Sequence, residues 1–251
     1  MIYFVGAGAG DPELLTIKGK KLIDSADVII YAGSLVNPEI LRDVKSDCEI
    51  YDSSGMTLEE VLQIMQHAEQ NQKTTVRVHT GDPSLYGAIR EQLDALDSLG
   101  ISHAVIPGVS SFLAAAAALQ KEYTLPDVSQ TVILTRMEGR TPVPESERIE
   151  ELAKHQATMV IFLSVGRIKE LAEKLCTGYP KETPVAVIYK ASWEDQKIIK
   201  GNLENIAEKV RQADITKTAL VTVGDFLGDA YSLSKLYDRH FTHGFRKGIA
   251  E

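Results

Sequence analysis

The sequence predicts an α/β protein made of two α/β domains, residues 1–120 and 121–251. Three observations carry that prediction. Runs rich in β-branched residues alternate with segments of helical periodicity along the chain. The turns between them are rich in glycine, as in Gly6-Ala7-Gly8-Ala9-Gly10-Asp11 and His79-Thr80-Gly81-Asp82-Pro83. The alternation is then broken by a polar stretch, 120–129, which holds Pro126 and marks the domain boundary.

Strands are expected at 2–5, 27–31 and 47–51, with a helix over 13–25 that starts near Asp11-Pro12. A helix over 57–70 carries its own start signal: Thr57 is the cap and Glu60 the capping-box acid three residues on. The next strand is 74–79, followed by a helix over 88–99 with Ile89, Leu93 and Leu96 near helical spacing. After a strand at 102–106, Pro107-Gly108-Val109-Ser110-Ser111 opens a helix over 112–119, whose alanines 114–118 allow close packing. The second domain is expected to hold strands at 131–136, 158–163, 184–189 and 218–223 and an antiparallel strand at 195–200. Its helices are placed at 145–155, at 166–175 and from a cap at Asn202 to 212, and a tail of mixed polarity runs from 228 to 251.

Composition excludes several classes. A net charge of −8 argues against non-specific nucleic-acid binding, which draws on clustered Lys and Arg. No apolar run is long enough for a membrane helix. The opening Met1-Ile2-Tyr3-Phe4-Val5-Gly6 lacks a basic region and a cleavage site and is read as a first strand, not a signal peptide. Cys48 and Cys176 are expected to be buried thiols in a reducing cytoplasm rather than a disulfide. The histidines show no metal-ligand spacing, since His240 and His243 lack partnering ligands, so no metal is expected.

The loop after the first strand invites a dinucleotide reading, which fails. The fingerprint needs glycine at its sixth position, where this chain has Asp11, and an acid after the second strand, where it has Tyr31-Ala32-Gly33. The Gly81-Asp82-Pro83 turn is more informative. Gly81 lets a ligand approach the backbone, Pro83 fixes φ, and Asp82 offers a carboxylate to a ribose hydroxyl or a cationic group. The same residues also suit an ordinary β-to-α turn.

Five segments in order resemble the tetrapyrrole methylases. They are Gly6 to Pro12 followed by Leu14-Leu15-Thr16, the Gly81-Asp82-Pro83 loop, Pro107 to Ser111, Gln196 with Gly201-Asn202-Leu203 and Ile206, and Thr218-Ala219-Leu220 with Gly224. Within that family, Tyr31-Ala32-Gly33-Ser34-Leu35-Val36 resembles the precorrin-4 C11-methyltransferase branch. The uroporphyrinogen branch usually has Asp at the place of Ala32 and a second Gly at the place of Thr80. The resemblance implies a ligand cleft between two α/β domains. It implies methyl transfer from S-adenosylmethionine, leaving S-adenosylhomocysteine, to C-11 of precorrin-4 or cobalt-precorrin-4 in corrin-ring synthesis. A cytoplasmic homodimer with a tetrapyrrole substrate is implied as well.

Carried over by position, Thr80, Gly81, Asp82, Leu85, Ser110 and Ser111 line the donor from the first domain. Leu163, Ala191, Thr218 and Ala219 do so from the second. Ala9 stands where the family's first-loop donor contact is usually Pro. The polycarboxylate substrate calls for basic groups, with Arg77, Arg90, Arg136, Arg140 and Lys190 at strand or helix ends as candidates and Tyr86 and Tyr189 as packing or platform residues. No acid–base constellation is evident, so no catalytic residue is assigned. The alternatives are a methylase of the same fold acting on uroporphyrinogen III, a modified protein histidine or rRNA, and a binding module without turnover.

Overall fold

The computed structural model describes residues 1–249, apart from the Ser34 side chain, so the last two residues of the expected tail lie outside the described residues. The chain forms two compact α/β units: Met1–Ala115 with Lys190–Gln196, and Ala116–Tyr189 with the residues from Lys197 onward. A sequence boundary at residue 120 anticipates neither the passage at Ala115 nor the return of Lys190–Gln196 to the first unit.

The first unit is a parallel sheet of β1 (Ile2–Gly6), β2 (Val28–Tyr31), β3 (Glu49–Asp52), β4 (Thr75–His79) and β5 (His103–Ile106). Their order in space is β3-β2-β4-β1-β5. Side chains alternate across such strands, so each face buries its own set. On one face, Val5, Ile29, Val76 and Val78 pack with Ile23 of α1 (Ile17–Ser25). On the other, Ile2, Phe4, Val28 and Ile30 pack with Val61 and Met65 of α2 (Leu58–Gln70) and Leu96 of α3 (Arg90–Ser98). Most of these side chains are fully buried, each contributing about 1.5–3 kcal/mol by transfer from water. The helices after the neighbouring strands β1 and β4 thus cover opposite faces. That makes the carboxyl ends of β1 and β4 the switch point of the sheet, where open α/β folds bind ligands.

Thr75, Arg77 and His79 alternate onto the α2–α3 face, and all three are buried. The Thr57–Glu60 capping box forms in full at the start of α2. The expected helix from residue 13 is interrupted: Pro12–Leu14 make a 3-10 turn, Leu15 is extended, and α1 begins only where the Thr16 hydroxyl accepts from Gly19 N–H. The small-residue helix is α4 (Ser111–Leu119), and the passage between units falls within it.

The second unit is a mixed sheet of β6 (Val132–Arg136), β7 (Thr158–Phe162), β8 (Pro184–Tyr189), β9 (Lys197–Asn202) and β10 (Ala219–Val223), ordered β6-β7-β10-β8-β9. Only the β6–β7 pairing is parallel; β10 is antiparallel to both its neighbours, and β9 is antiparallel to β8. α5 (Ile149–Ala153), α6 (Ile168–Leu175) and α7 (Ile206–Gln212) bury Ile149, Leu171, Leu175, Ile206 and Val210 against Met159, Ile161, Val185, Val187, Val221 and Val223. α5 is shorter than its expected span because Arg148 takes an extended backbone after a 3-10 turn at Glu145–Glu147. Asn202 ends β9 rather than capping α7. Asn205 holds the cap position, and the two asparagines exchange backbone-to-side-chain hydrogen bonds of 3.1 Å.

Candidate functional site

Three loops converge at the carboxyl edge of the first sheet. Gly8 and Gly81 pair across two backbone hydrogen bonds, with Gly81 N–H donating to Gly8 O at 2.9 Å, and Ala7 N–H donates to His79 O at 2.7 Å. A Cβ on Gly6 would stand 2.6 Å from both Gly108 Cα and Gly81 O, closer than atoms pack, so only glycine admits this approach. Gly81 has φ of 64° and lies against Ser110 Cα.

Asp82 binds these loops together. Its Oδ2 accepts from Gly108 N–H at 2.8 Å, and its Oδ1 accepts from Ser84 N–H at 2.8 Å and from the Ser84 hydroxyl. Burial opposes the charge, but the Ser84 hydroxyl and the Gly108 and Ser84 N–H groups outweigh it, holding the carboxyl below its usual range. The side chain therefore does more than shape a turn: it stays ionised and ties β4's loop to the β5–α4 loop. Ser110 is buried and its carbonyl starts the hydrogen-bond ladder of α4, which puts Ser111 in the first turn. Thr80 is exposed and donates its hydroxyl to Leu35 O at 3.2 Å, placing the segment after β2 beside the Gly-Asp-Pro loop. Leu85 follows as the closing residue of the turn, its N–H donating to Asp82 O.

In the second unit the predicted residues form a row at one sheet edge. β10 pairs with β7 in a register that, extended past Phe162, sets Leu163 across from Ala219, and Ala219 pairs with Tyr189 on the other side. Leu163 has φ of 54° and is 77% exposed, and Thr218 has φ of 55° and is exposed. A leucine that is both left-handed and unburied carries backbone strain with no packing to justify it, the combination found at binding sites. Ala191 is buried and belongs to the segment that joins the first unit.

The basic candidates fare differently. Arg77 does not reach the sheet edge: it lies under the α2–α3 layer, 8% exposed, with Nη1 donating to Ile30 O at 3.2 Å and Nε without a partner. Its position in the middle of a strand whose alternate residues point inward explains this. Burial lowers its pKa to about 10. His79, on the same face, is stacked on Phe4 at 5.9 Å. Burial, helped by Arg77, lowers its pKa to about 3. Arg90 pairs with Asp94 at 2.8 Å and Lys190 with Asp195 at 2.6 Å. Arg136 donates to the carbonyls of Thr141 and Pro142, bracing its own loop, and Arg140 is exposed.

Among the described residues no group of three or more His, Cys, Asp or Glu is placed to hold a metal ion, and no helix is long and apolar enough to cross a membrane. A cavity of about 370 Å³ between β3 and α2, lined by Tyr51, Met56, Ile64, His67 and Lys73, borders none of the site residues. What the edges offer is backbone polar groups, small residues and the exposed side chains of Leu35, Tyr86 and Leu163. Such a surface suits holding and orienting a reactant that is already activated.

Residues 1–207 match the model of the Tetrapyrrole (Corrin/Porphyrin) Methylases. The chain belongs to this family. A cobalt-precorrin-4 C(11)-methyltransferase of Methanocaldococcus jannaschii is 57% identical over 98% of this chain and 96% of its own. The solved structure of a cobalt precorrin-4 methyltransferase superimposes with a TM-score of 0.89 at 44% identity, covering 91% of this chain and 96% of that one. A uroporphyrin-III C-methyl transferase of Thermus thermophilus complexed with S-adenosyl homocysteine has a TM-score of 0.77 at 27% identity, covering 90% and 98%.

For a tetrapyrrole methylase read from sequence, one group of residues went unnoticed. The outer part of the first glycine loop is held by side chains from elsewhere: Trp193 Nε1 donates to Ala9 O at 3.1 Å, Asn37 Nδ2 to Gly10 O at 2.8 Å, and Ser192 Oγ accepts from Asp11 N–H at 3.1 Å. The one available signal was that Trp193 is the only tryptophan of the chain.

Proposed function

We propose that this protein transfers a methyl group from S-adenosylmethionine to C-11 of cobalt-precorrin-4. The observation that carries the reading is 57% identity along 98% of the chain to an enzyme of that name. The donor supplies a methyl on a positively charged sulfur and leaves as S-adenosylhomocysteine, the ligand of the Thermus thermophilus relative.

In this reading Thr80, Gly81, Asp82, Leu85, Ser110 and Ser111 of the first unit and Leu163, Ala191, Thr218 and Ala219 line the donor. Their properties support it. Gly81 has no Cβ to keep a ligand from the backbone, and the α4 N-terminus attracts the donor's carboxylate. Leu163 presents an apolar side chain toward solvent and Thr218 an exposed hydroxyl. Asp82 acts mainly by holding two loops in register, since all three of its hydrogen bonds are internal.

Chemistry follows from position. The macrocycle's ring carbon attacks the methyl in line with the carbon–sulfur bond, whose electrons remain on sulfur as the new carbon–carbon bond forms, and the positive charge passed to the macrocycle is discharged as a proton to water. Holding the two reactants in that line contributes up to roughly 7–11 kcal/mol of barrier lowering. No general base is assigned among the described residues of the site. A cytoplasmic homodimer is part of the reading, checked by light scattering on the purified protein.

The test is mass spectrometry of cobalt-precorrin-4 and of its metal-free form after incubation with the protein and S-adenosylmethionine. Gain of one methyl, placed at C-11 by isotope-labelled NMR and faster on the cobalt form, supports the reading. Methylation at another carbon, or of uroporphyrinogen III alone, overturns it.

A further inference from the structure

The glycine loop after β1 has two halves with different supports. Gly6, Ala7 and Gly8 are pinned by the neighbouring strand ends through the bonds from Ala7 to His79 and between Gly8 and Gly81. Ala9, Gly10 and Asp11 lie beyond that pair and have no sheet partner of their own. Asp11 is held locally, accepting from Glu13 N–H and Leu14 N–H, but Gly10 sits at φ of 148° and restricts its own backbone little, so Ala9 and Gly10 draw on side chains from elsewhere.

That support comes largely from one loop. Lys190–Gln196, the connection from β8 to β9, belongs to the first unit and gives this half-loop two of its three side-chain partners. The Trp193 indole N–H caps the carbonyl of Ala9, a residue only 7% exposed, and the indole ring fills the space where Gly10 would carry a Cβ. The tryptophan is itself braced. The Lys190 ammonium lies 5.1 Å over the ring and pairs with Asp195, while Ser192 N–H donates to Gln196 Oε1 at 2.8 Å. Trp193 N–H donates to Lys190 O, and Gln196 N–H to Trp193 O. Lys190 and Ser192 both have positive φ, at 46° and 69°, so this connection is held in a costly conformation that its own hydrogen bonds maintain.

We propose that Trp193 is a positioning residue for the methyl transfer. It fixes the outer glycine loop, Ala9 to Asp11, beside the Gly81 loop, and so steadies the side of the donor site to which Ala9 and Ala191 belong. The inference rests on the reading given under Proposed function for the identity of the reactants. Ala191, one of the residues assigned to the donor, lies in the same connection as Trp193, and Ala9 accepts its indole N–H, so donor affinity is expected to depend on the tryptophan as well.

Two variants separate the parts. Trp193→Phe keeps an aromatic ring in the connection but removes the N–H donor and part of the ring volume against Gly10; Trp193→Ala removes the ring altogether. Amide hydrogen exchange over residues 8–11, measured without ligands, is expected to quicken about tenfold in Trp193→Phe, the worth of one hydrogen bond, and more in Trp193→Ala. With S-adenosylmethionine and cobalt-precorrin-4, kcat/KM is expected to fall about tenfold in Trp193→Phe. The S-adenosylhomocysteine Kd should rise several-fold, because Ala191 and the Ala9 carbonyl share this connection's support, and the melting temperature should move little. The proposal is overturned by unchanged exchange over the loop, or by unchanged kinetics in Trp193→Phe. A melting temperature that drops while the folded fraction keeps its kcat/KM also overturns it, by assigning the tryptophan to stability alone. If the wild-type chain fails to methylate the macrocycle, the functional reading falls, and the exchange measurement still decides whether the clamp exists. Should Trp193→Ala not fold, Trp193→Phe carries both measurements.

Discussion

Replacing Arg77 by methionine should stabilise the first unit. The guanidinium lies in an apolar layer with no carboxylate partner, and its one hydrogen bond goes to a strand carbonyl. Burial brings its pKa from 12.5 to about 10. At about 1.4 kcal/mol per unit, that difference is a cost of roughly 3 kcal/mol for keeping the charge inside. The sign is unambiguous: below pH 10 the group is charged in both states and the full cost is present, and it is relieved only as pH rises from the folded toward the unfolded pKa. Methionine has a similar unbranched stem, so Arg77→Met loses the bond to Ile30 O, worth about 1 kcal/mol, and leaves little cavity. The net gain is about 1–2 kcal/mol at pH 7, read as a higher urea midpoint with an unchanged slope. A variant destabilised by more than about 1 kcal/mol would refute the reasoning, because it would mean that a buried anion or water compensates the charge.

His79 should make the protein acid-sensitive. Its folded pKa of about 3 lies below the ordinary 6.5, so the unfolded chain takes up a proton first as pH falls, and at pH 5 about 2 kcal/mol of stability is lost. His79→Phe, which keeps the stack on Phe4, should flatten the stability profile between pH 7 and 5; an unchanged slope would show that another group causes it. Asp82→Ala leaves the Gly108 and Ser84 N–H groups without their acceptor and should cost about 2–3 kcal/mol, with at least a tenfold loss of S-adenosylhomocysteine affinity by calorimetry. Full retention of both would remove its assigned role. Leu163→Gly should leave the melting temperature level or slightly higher, because it relieves a left-handed leucine that packs against nothing, while weakening S-adenosylhomocysteine binding several-fold. A marked drop in melting temperature would instead make Leu163 a core residue.

Much of this was legible in the chain because the governing signals are local. The Thr57–Glu60 capping box, the β-branched strands and the glycine turns each depend on residues a few positions apart, and each formed as read. Two misplacements were also local: Thr16, three residues before Gly19, outcompeted Asp11 as the start of α1, and Asn205 outcompeted Asn202 at α7. Arg77 was misread for a different reason. A charged side chain is normally found in water, so its strand position was read as an exposed end, whereas alternation puts it beneath two helices. The Trp193 clamp was invisible because it joins positions 184 apart in sequence, and no periodicity or spacing rule reaches that far.

That separation has a consequence for biosynthesis. During translation at about 5–20 residues per second, the first sheet has all its strands once β5 emerges, yet its glycine loop still lacks the residues that close it. Ala9, Gly10 and Asp11 wait for Trp193 and Ser192 while β6, β7 and β8 are synthesised. A nascent chain released early would carry a formed sheet with an open loop at its switch point, and the same holds for a gene fragment ending at Ala115. The first unit is therefore not a cassette that can be transplanted on its own. Any fusion or domain exchange that keeps it intact has to bring the β8–β9 connection along.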